Sequence, residues 1–140
     1  MSQKEELIKG LNEDLAAELG AIIRYTYQAS KSFGVNGLEL REMFAEEVQD
    51  ELRHASFLMD MIVDLGGEPT TTPKEFNRID DLKSMLQLDL KMELEDLENY
   101  KQRARQAAEV GGIELKLKLE EMAADEAGHA RKLMRILKGM

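Results

Sequence analysis

The stretch Asp50-Glu51-Leu52-Arg53-His54-Ala55 returns near the other end of the chain as Asp125-Glu126-Ala127-Gly128-His129-Ala130. Both read Asp-Glu-x-x-His-Ala, and between them they hold both histidines of the 140 residues. On a helix, residues three apart share a face, so each Glu and its His aim at one spot. A carboxylate and an imidazole aimed together suit a cation such as iron, zinc or manganese. Glutamate is common in this chain, so one such pair is a weak signal, and its weight depends on what surrounds it.

Around these two stretches the chain reads as four long amphipathic helices. The first spans about 3–33, opening on a capping box of Ser2 and Glu5 and carrying Leu11, Leu15, Leu19 and Ile22 on one stripe. Phe33-Gly34-Val35-Asn36-Gly37 reads as a turn. The second spans about 38–65, with Leu40, Phe44, Val48, Ala55, Leu58 and Ile62 on its stripe, and Gly66-Gly67 ends it. Residues 68–80, with Pro69, Pro73 and three threonines, form an extended link longer than a tight helix–helix turn. The third helix spans about 81–109, Val110-Gly111-Gly112 is a turn, and the fourth spans about 113–138. Short, long and short connections predict an all-α fold: a four-helix bundle of two helical hairpins joined by one crossover, a single domain over residues 1–140. At about 3.3 Å per residue the link reaches roughly 40 Å, enough to run the length of the bundle.

Composition narrows the function classes. A net charge of −9 argues against nucleic acid, which needs a basic footprint. No apolar run approaches the roughly 18 residues of a membrane span. Cysteine is absent, which excludes disulfides, thiolate metal sites and thiol catalysis. The N-terminus lacks the apolar stretch of a signal peptide, so the expected location is cytoplasmic.

A shift of 75 residues lays one half of the chain on the other. It pairs Asp14 with Asp89, Glu18 with Glu93, Tyr25 with Tyr100, Asp50 with Asp125, Glu51 with Glu126 and His54 with His129. Paired leucines mean little among amphipathic helices, but core packing does not demand paired Glu, Tyr, Asp and His. A duplicated hairpin with a pseudo-twofold axis accounts for them. Glu18 and Glu93 each lie on an apolar stripe, and each is as far from its turn as Glu51 or Glu126, about 24 Å along the helix axis. Glu18 should therefore face Glu51, and Glu93 should face Glu126. Four carboxylates on apolar stripes cannot be buried as unpaired anions. Two divalent cations balance them, and Glu18, Glu51, Glu93 and Glu126 with His54 and His129 form an oxygen-rich, sulfur-free donor set that suits iron or manganese better than structural zinc. Glu46 and Glu47 precede Glu51 on the same helix and are read as a solvated charged face outside this set. A metal-free helical interaction module, with these glutamates solvated, is the competing reading.

A Glu from each of two helices with Glu-x-x-His from the other two is the pattern of ferritin-like di-metal carboxylate bundles. On Glu18, Asp50-Glu51-Leu52-Arg53-His54, Asp89-Leu90-Lys91-Met92-Glu93 and Asp125-Glu126-Ala127-Gly128-His129, the chain resembles the ferritin-like di-iron carboxylate superfamily, bacterioferritins above all, with rubrerythrin-like features. The resemblance implies bridging roles for Glu51 and Glu126. Glu18 and His54 would be terminal ligands on one ion, and Glu93 and His129 on the other. It implies Asp50 and Asp125 as acceptors for the outer histidine ring N–H, and Tyr25 and Tyr100 in a redox or hydrogen-bonding role, or simply as core. It further implies a homo-oligomeric ferroxidase that oxidises Fe(II) with O2 or H2O2 for iron storage or detoxification. A rubrerythrin-like di-iron peroxidase of oxidative-stress defence is the alternative. Three departures qualify this. Leu52 stands where haem-binding relatives have methionine, so no haem is expected. The chain stops at Met140, without the fifth helix of larger cages. Asp96 stands where rubrerythrins carry a further glutamate.

Overall fold

The computed structural model of the protein describes every residue except Gly111. Four helices follow one another: α1 (Gln3–Ser30), α2 (Gly34–Asp64), α3 (Leu82–Val110) and α4 (Ile113–Lys138). Among the described residues there is no strand, and no helix is long and apolar enough to cross a membrane.

The helix ends follow local chemistry. Ser2 Oγ accepts from Glu5 N at 3.1 Å, satisfying one of the free donors of the first turn of α1. α2 stops on a Schellman motif. Gly66 takes φ 89°, its N–H bonds Val63 O, and Gly67 N–H bonds Ile62 O at 2.8 Å. The turn between α1 and α2 is tighter than the sequence suggested, and α2 begins at Gly34 rather than near residue 38. Gly34 makes the reversal alone at φ 78°. Gly37 lies inside the first turn of α2, where an added Cβ would stand 2.7 Å from the Ser32 carbonyl carbon. In the turn expected at residues 110–112, Val110 closes α3 and Gly112 caps α4; Gly111 lies outside the described residues.

α1 packs along α2, and α3 along α4, while α1 also lies against α3 and α2 touches α4 more lightly. Two apolar clusters fill the interior. One gathers Leu7, Leu11, Leu15, Leu58, Ile62, Tyr100, Leu115 and Leu119 towards one end. The other gathers Tyr25, Leu40, Phe44, Leu86 and Leu133 towards the opposite end. Each fully buried leucine stabilises the bundle by about 1.5–3 kcal/mol. Between the clusters, at mid-height, the interior turns polar: Glu18, Glu51, Glu93 and Glu126 are all completely buried.

The crossover is strapped along α1. Asn12 holds its start, donating to Glu68 O and accepting from Thr70 N at 2.8 Å. Lys74 N bonds Ala16 O at 2.8 Å. Phe76 packs on Tyr27, and Asp80 pairs with Lys31 near the far end. The strap explains Gly20: a Cβ there would collide with the Lys74 backbone carbonyl. Gly10 has a different reason, since the Arg103 guanidinium occupies its Cβ position. Replacing Gly20 by alanine should recover about 1 kcal/mol of helix propensity. Pushing backbone away costs about 1–3 kcal/mol and removes the Lys74–Ala16 hydrogen bond besides. Gly20→Ala should therefore lower stability in urea unfolding; a gain would mean that the strap is not tightly seated.

Candidate metal centre

The polar layer takes one or two side chains from every helix. α1 contributes Glu18, α2 contributes Glu51 and His54, α3 contributes Glu93, and α4 contributes Glu126 and His129. Donor atoms of Glu18, Glu51, His54 and Glu126 all lie within 4.8 Å of one another, and so do those of Glu47, Glu51, Glu93 and His129. The structure therefore brings together all six residues expected from the sequence. Both histidines turn the same ring nitrogen inward. His54 Nδ1 stands 3.5 Å from Glu18 and 3.3 Å from Glu126. His129 Nδ1 stands 3.5 Å from Glu93 and 3.7 Å from Glu51.

The outer ring nitrogens are held by aspartates. His54 Nε2 meets Asp125 at 2.9 Å, and His129 Nε2 meets Asp50 at 2.8 Å. Each histidine is held by the aspartate of the other Asp-Glu-x-x-His motif, across the gap between α2 and α4. A carboxylate on the outer nitrogen fixes the ring and leaves Nδ1 free to bind an ion. The tyrosines behave in the same reciprocal way. Tyr25 donates to Glu93, and Tyr100 donates to Glu18, each from the other hairpin. Both tyrosines thus make the hydrogen bond to a site carboxylate that was one of their expected roles, and both also pack in the apolar clusters.

A further layer was not anticipated. Arg103 bonds Asp14 at 2.8 Å, while Gln28 and Arg24 each bond Asp89 at 2.9 Å, all of them buried. Asp14 and Asp89 are equivalent under the 75-residue shift, and so are Gln28 and Arg103. The repeat had marked the two aspartates, but Gln28 and Arg103 differ in type and gave no match.

Glu47 corrects the sequence reading. It is not part of a solvated face: only 4% of it is exposed, and it stands 2.8 Å from His129 Nδ1. Glu46 is exposed, as expected. The signal was available, because Glu47 lies one turn before Glu51 on the same face. Asp96, one turn after Glu93, is also buried and lies within 4.8 Å of Glu93 and Glu126 donor atoms.

Burial and charge pull the site's protons in opposite directions. Burial pushes Glu18 up to about 8. Burial also works to lower both histidines, but the carboxylates around them outweigh it and hold each at about 10. Burial works to raise Glu126 too; there the histidine contacts prevail and keep it below its ordinary value. Burial pushes both tyrosines well above 10, so they remain hydrogen-bond donors. Around neutral pH the cation-free cluster gathers protons where its carboxylates need positive charge.

A cavity of about 100 Å³ bounded by Arg53, His54, Phe57, Lys118 and Asp125 reaches the cluster from the α2–α4 face. The larger groove of about 570 Å³ between α3 and α4 is lined by Ala104, Ala108, Ala123 and Ala127, and none of the site donors borders it.

Known proteins share this design. A family model, the ferritin-like domain, matches residues 8–140. The bacterioferritin of Brucella melitensis biotype 1 is 31% identical over 134 residues, covering 92% of this chain and 81% of its own. That of Rhodobacter capsulatus is 30% identical over 132 residues, with 92% and 81% covered. A ferritin-like, diiron-carboxylate protein from Bacillus anthracis str. Ames superposes with a TM-score of 0.95 at 42% identity, covering 98% of this chain and 99% of that one. The Desulfovibrio desulfuricans bacterioferritin superposes with a TM-score of 0.82 at 26% identity, covering 97% and 80%. With the match running through all four helices and every residue of the buried cluster, the chain belongs to the ferritin-like domain family.

Proposed function

We propose that this protein is a di-iron ferroxidase, binding two Fe(II) ions at mid-bundle and delivering their electrons to O2 or H2O2 in iron storage or detoxification. One observation carries the reading. Among the described residues, twelve buried side-chain polar atoms lack a hydrogen-bond partner, and nine of them belong to Glu18, Glu47, Glu51, His54, Glu93, Glu126 and His129. An unsatisfied buried polar group costs about 1–3 kcal/mol, and more when charged. Even with His129 Nδ1 against Glu47 and His54 Nδ1 against Glu126, the remaining oxygens cost several kcal/mol, a large part of the net stability of a domain. Such a cost is sustained where a ligand relieves it, and divalent cations fit the donors: carboxylate oxygens and imidazole nitrogens without sulfur. Manganese fits the same donors.

Within this reading Glu51 and Glu126 lie between the two ion positions. Glu18 and His54 hold one ion, and Glu93 and His129 hold the other. Asp125 and Asp50 orient the rings, while Tyr100 and Tyr25 orient Glu18 and Glu93. Leu52, on the outer side of α2, offers no sulfur to a haem iron, so no haem is expected there. Assembly as a homo-oligomer belongs to the same reading, and the exposed Ile23 and Leu52 leave apolar surface for it.

Buried Asp96 favours a second reading, a rubrerythrin-like peroxidase, because it adds a carboxylate beside Glu93 and Glu126. Stopped-flow oxidation of Fe(II)-loaded protein separates the two. A ferroxidase of storage type should turn over repeatedly with O2, and Glu51→Ala should abolish the reaction. Oxidation by H2O2 alone, without repeated iron uptake, would favour the peroxidase. Loading at a hundred times Kd should contribute about 2.7 kcal/mol per ion, which is roughly 5–10 °C in Tm. An unchanged melting point with every divalent metal would leave the metal-free bundle as the reading.

The metal-free protein should also carry a distinctive pH dependence. The histidines are raised in the fold, so their contribution is fully present below about 6.5 and is lost as pH rises through about 10. Glu18 is raised as well, and works in the same direction between its ordinary 4.5 and about 8. Tm of the apo protein should therefore fall between pH 6.5 and 10, and bound metal should flatten the fall. An apo profile that is level or rising across that window would contradict the proposed proton load.

A further inference from the structure

The internal twofold is broken at the centre. Under the 75-residue shift, Glu47 corresponds to Met122 and Asp96 corresponds to Ala21. Met122 and Ala21 are buried as completely as their acidic counterparts, and neither offers an oxygen. Glu47 and Asp96 therefore have no acidic counterparts in the other half of the repeat. Glu47 joins Glu51, Glu93 and His129 within 4.8 Å. The corresponding group on the other side is Glu18, Glu51, His54 and Glu126; Glu126 also stands 3.8 Å from His129 Nδ1, so both sides reach the shared glutamates, and only the His129 side has Glu47 as well. Glu47 is placed to meet an ion. It is 4% exposed, and its Oε2 points into the cluster, 2.8 Å from the inward nitrogen of His129. Its other oxygen is 3.8 Å from Lys132 Nζ, a half-exposed cation that offsets part of its charge from outside.

We propose that the two ion positions are unequal by construction, and that Glu47 is an additional ligand making the Glu93–His129 position the tighter one. Divalent cations then load in sequence, first at Glu93–His129 and next at Glu18–His54. An extra anionic oxygen strengthens the hold on a hard cation through charge and by filling a coordination position. The inequality rests on the dinuclear reading above and adds an order to it. It also gives the protein a state with one ion bound, in which the second position is shaped by the first through the shared Glu51 and Glu126.

The test is an anaerobic titration of the full-length apo protein with Co(II), followed by visible d–d absorption and by calorimetry. Wild type should bind two ions in two resolved steps. Glu47→Gln keeps the shape and removes the charge, so it should weaken the tighter step by about 10–100-fold and leave the weaker one in place, a loss typical of groups that support a metal site. Glu46→Gln, on the exposed neighbour, should change neither step. Two variants assign the positions independently of Glu47: His129→Gln should abolish the tight step and His54→Gln the weak one. Two ions binding with equal affinity, an unaltered tight step in Glu47→Gln, or the reverse assignment by the histidine variants would each overturn the proposal and leave the dinuclear site standing. Failure of wild type to bind Co(II) at all would remove the dinuclear site and the inequality together.

Discussion

Charge in a dry core is the constraint on which this bundle depends. Four glutamates sit at mid-height with no exposure to solvent. Transferring an ionised carboxylate from water into protein costs several kcal/mol even after relaxation. A sequence that places four of them on apolar stripes must supply positive charge at the same height. Protons do so partially: the histidines are held charged and Glu18 is pushed towards neutrality. Protons still leave several inward carboxylate oxygens without a hydrogen-bond partner, because the two inward Nδ1 atoms are shared among many acceptors at 2.8–3.8 Å. A pair of small divalent cations brings charge and coordination at once.

Duplication gives the frame its means of holding such a site. The important contacts are reciprocal and run between hairpins. Tyr25 reaches Glu93 and Tyr100 reaches Glu18; His54 reaches Asp125 and His129 reaches Asp50. The buried pair Arg103–Asp14 and its counterpart Gln28–Asp89 add a further layer at the same α1–α3 contact. Such polar pairs add little net stability, since desolvation consumes most of what the contact returns. Their effect is on register. A slip of α1 along α3 would break both tyrosine contacts and both aspartate contacts together, and would leave every partner buried and unsatisfied. The apolar clusters at either end tolerate small slips far better, because Leu and Ile packing is less directional than a hydrogen bond.

How much of this could be read from the chain follows from the kind of signal each feature leaves. Helical periodicity, the Ser2 cap, the Gly66-Gly67 stop and the 75-residue repeat are local or self-referential, and they placed four helices and six converging donors. Gly34 and Gly37 were read as a turn, although one makes the reversal and the other sits inside α2 against Ser32. Composition cannot separate those uses. Partners across hairpins were out of reach, since nothing along the sequence says that Asp125 will meet His54 rather than His129. Nothing along the sequence explains Gly10 and Gly20 inside α1. Their reason lies in what crosses them, an arginine from α3 and the backbone of the crossover.

Glu47 shows how a strong pattern can hide a residue. The repeat identified the site by what its two halves share, and so set aside whatever they did not. Its counterpart, Met122, carries no charge, and an acid on a helix with many acids reads as solvated. Burial reverses that reading: an acid 4% exposed, with an oxygen 2.8 Å from His129 Nδ1, is costly to keep in a dry core unless something at that spot uses it. Asp96, opposite Ala21, is likewise buried, beside Glu93 and Glu126. A duplicated gene begins with two equal halves, and equal halves would hold two equal ions. At the centre that symmetry is broken by Glu47 opposite Met122 and Asp96 opposite Ala21, all four of them buried. Each such departure places a charge in a dry core, where it costs more than on the surface, and this asymmetry fits the unequal ion positions proposed for the site.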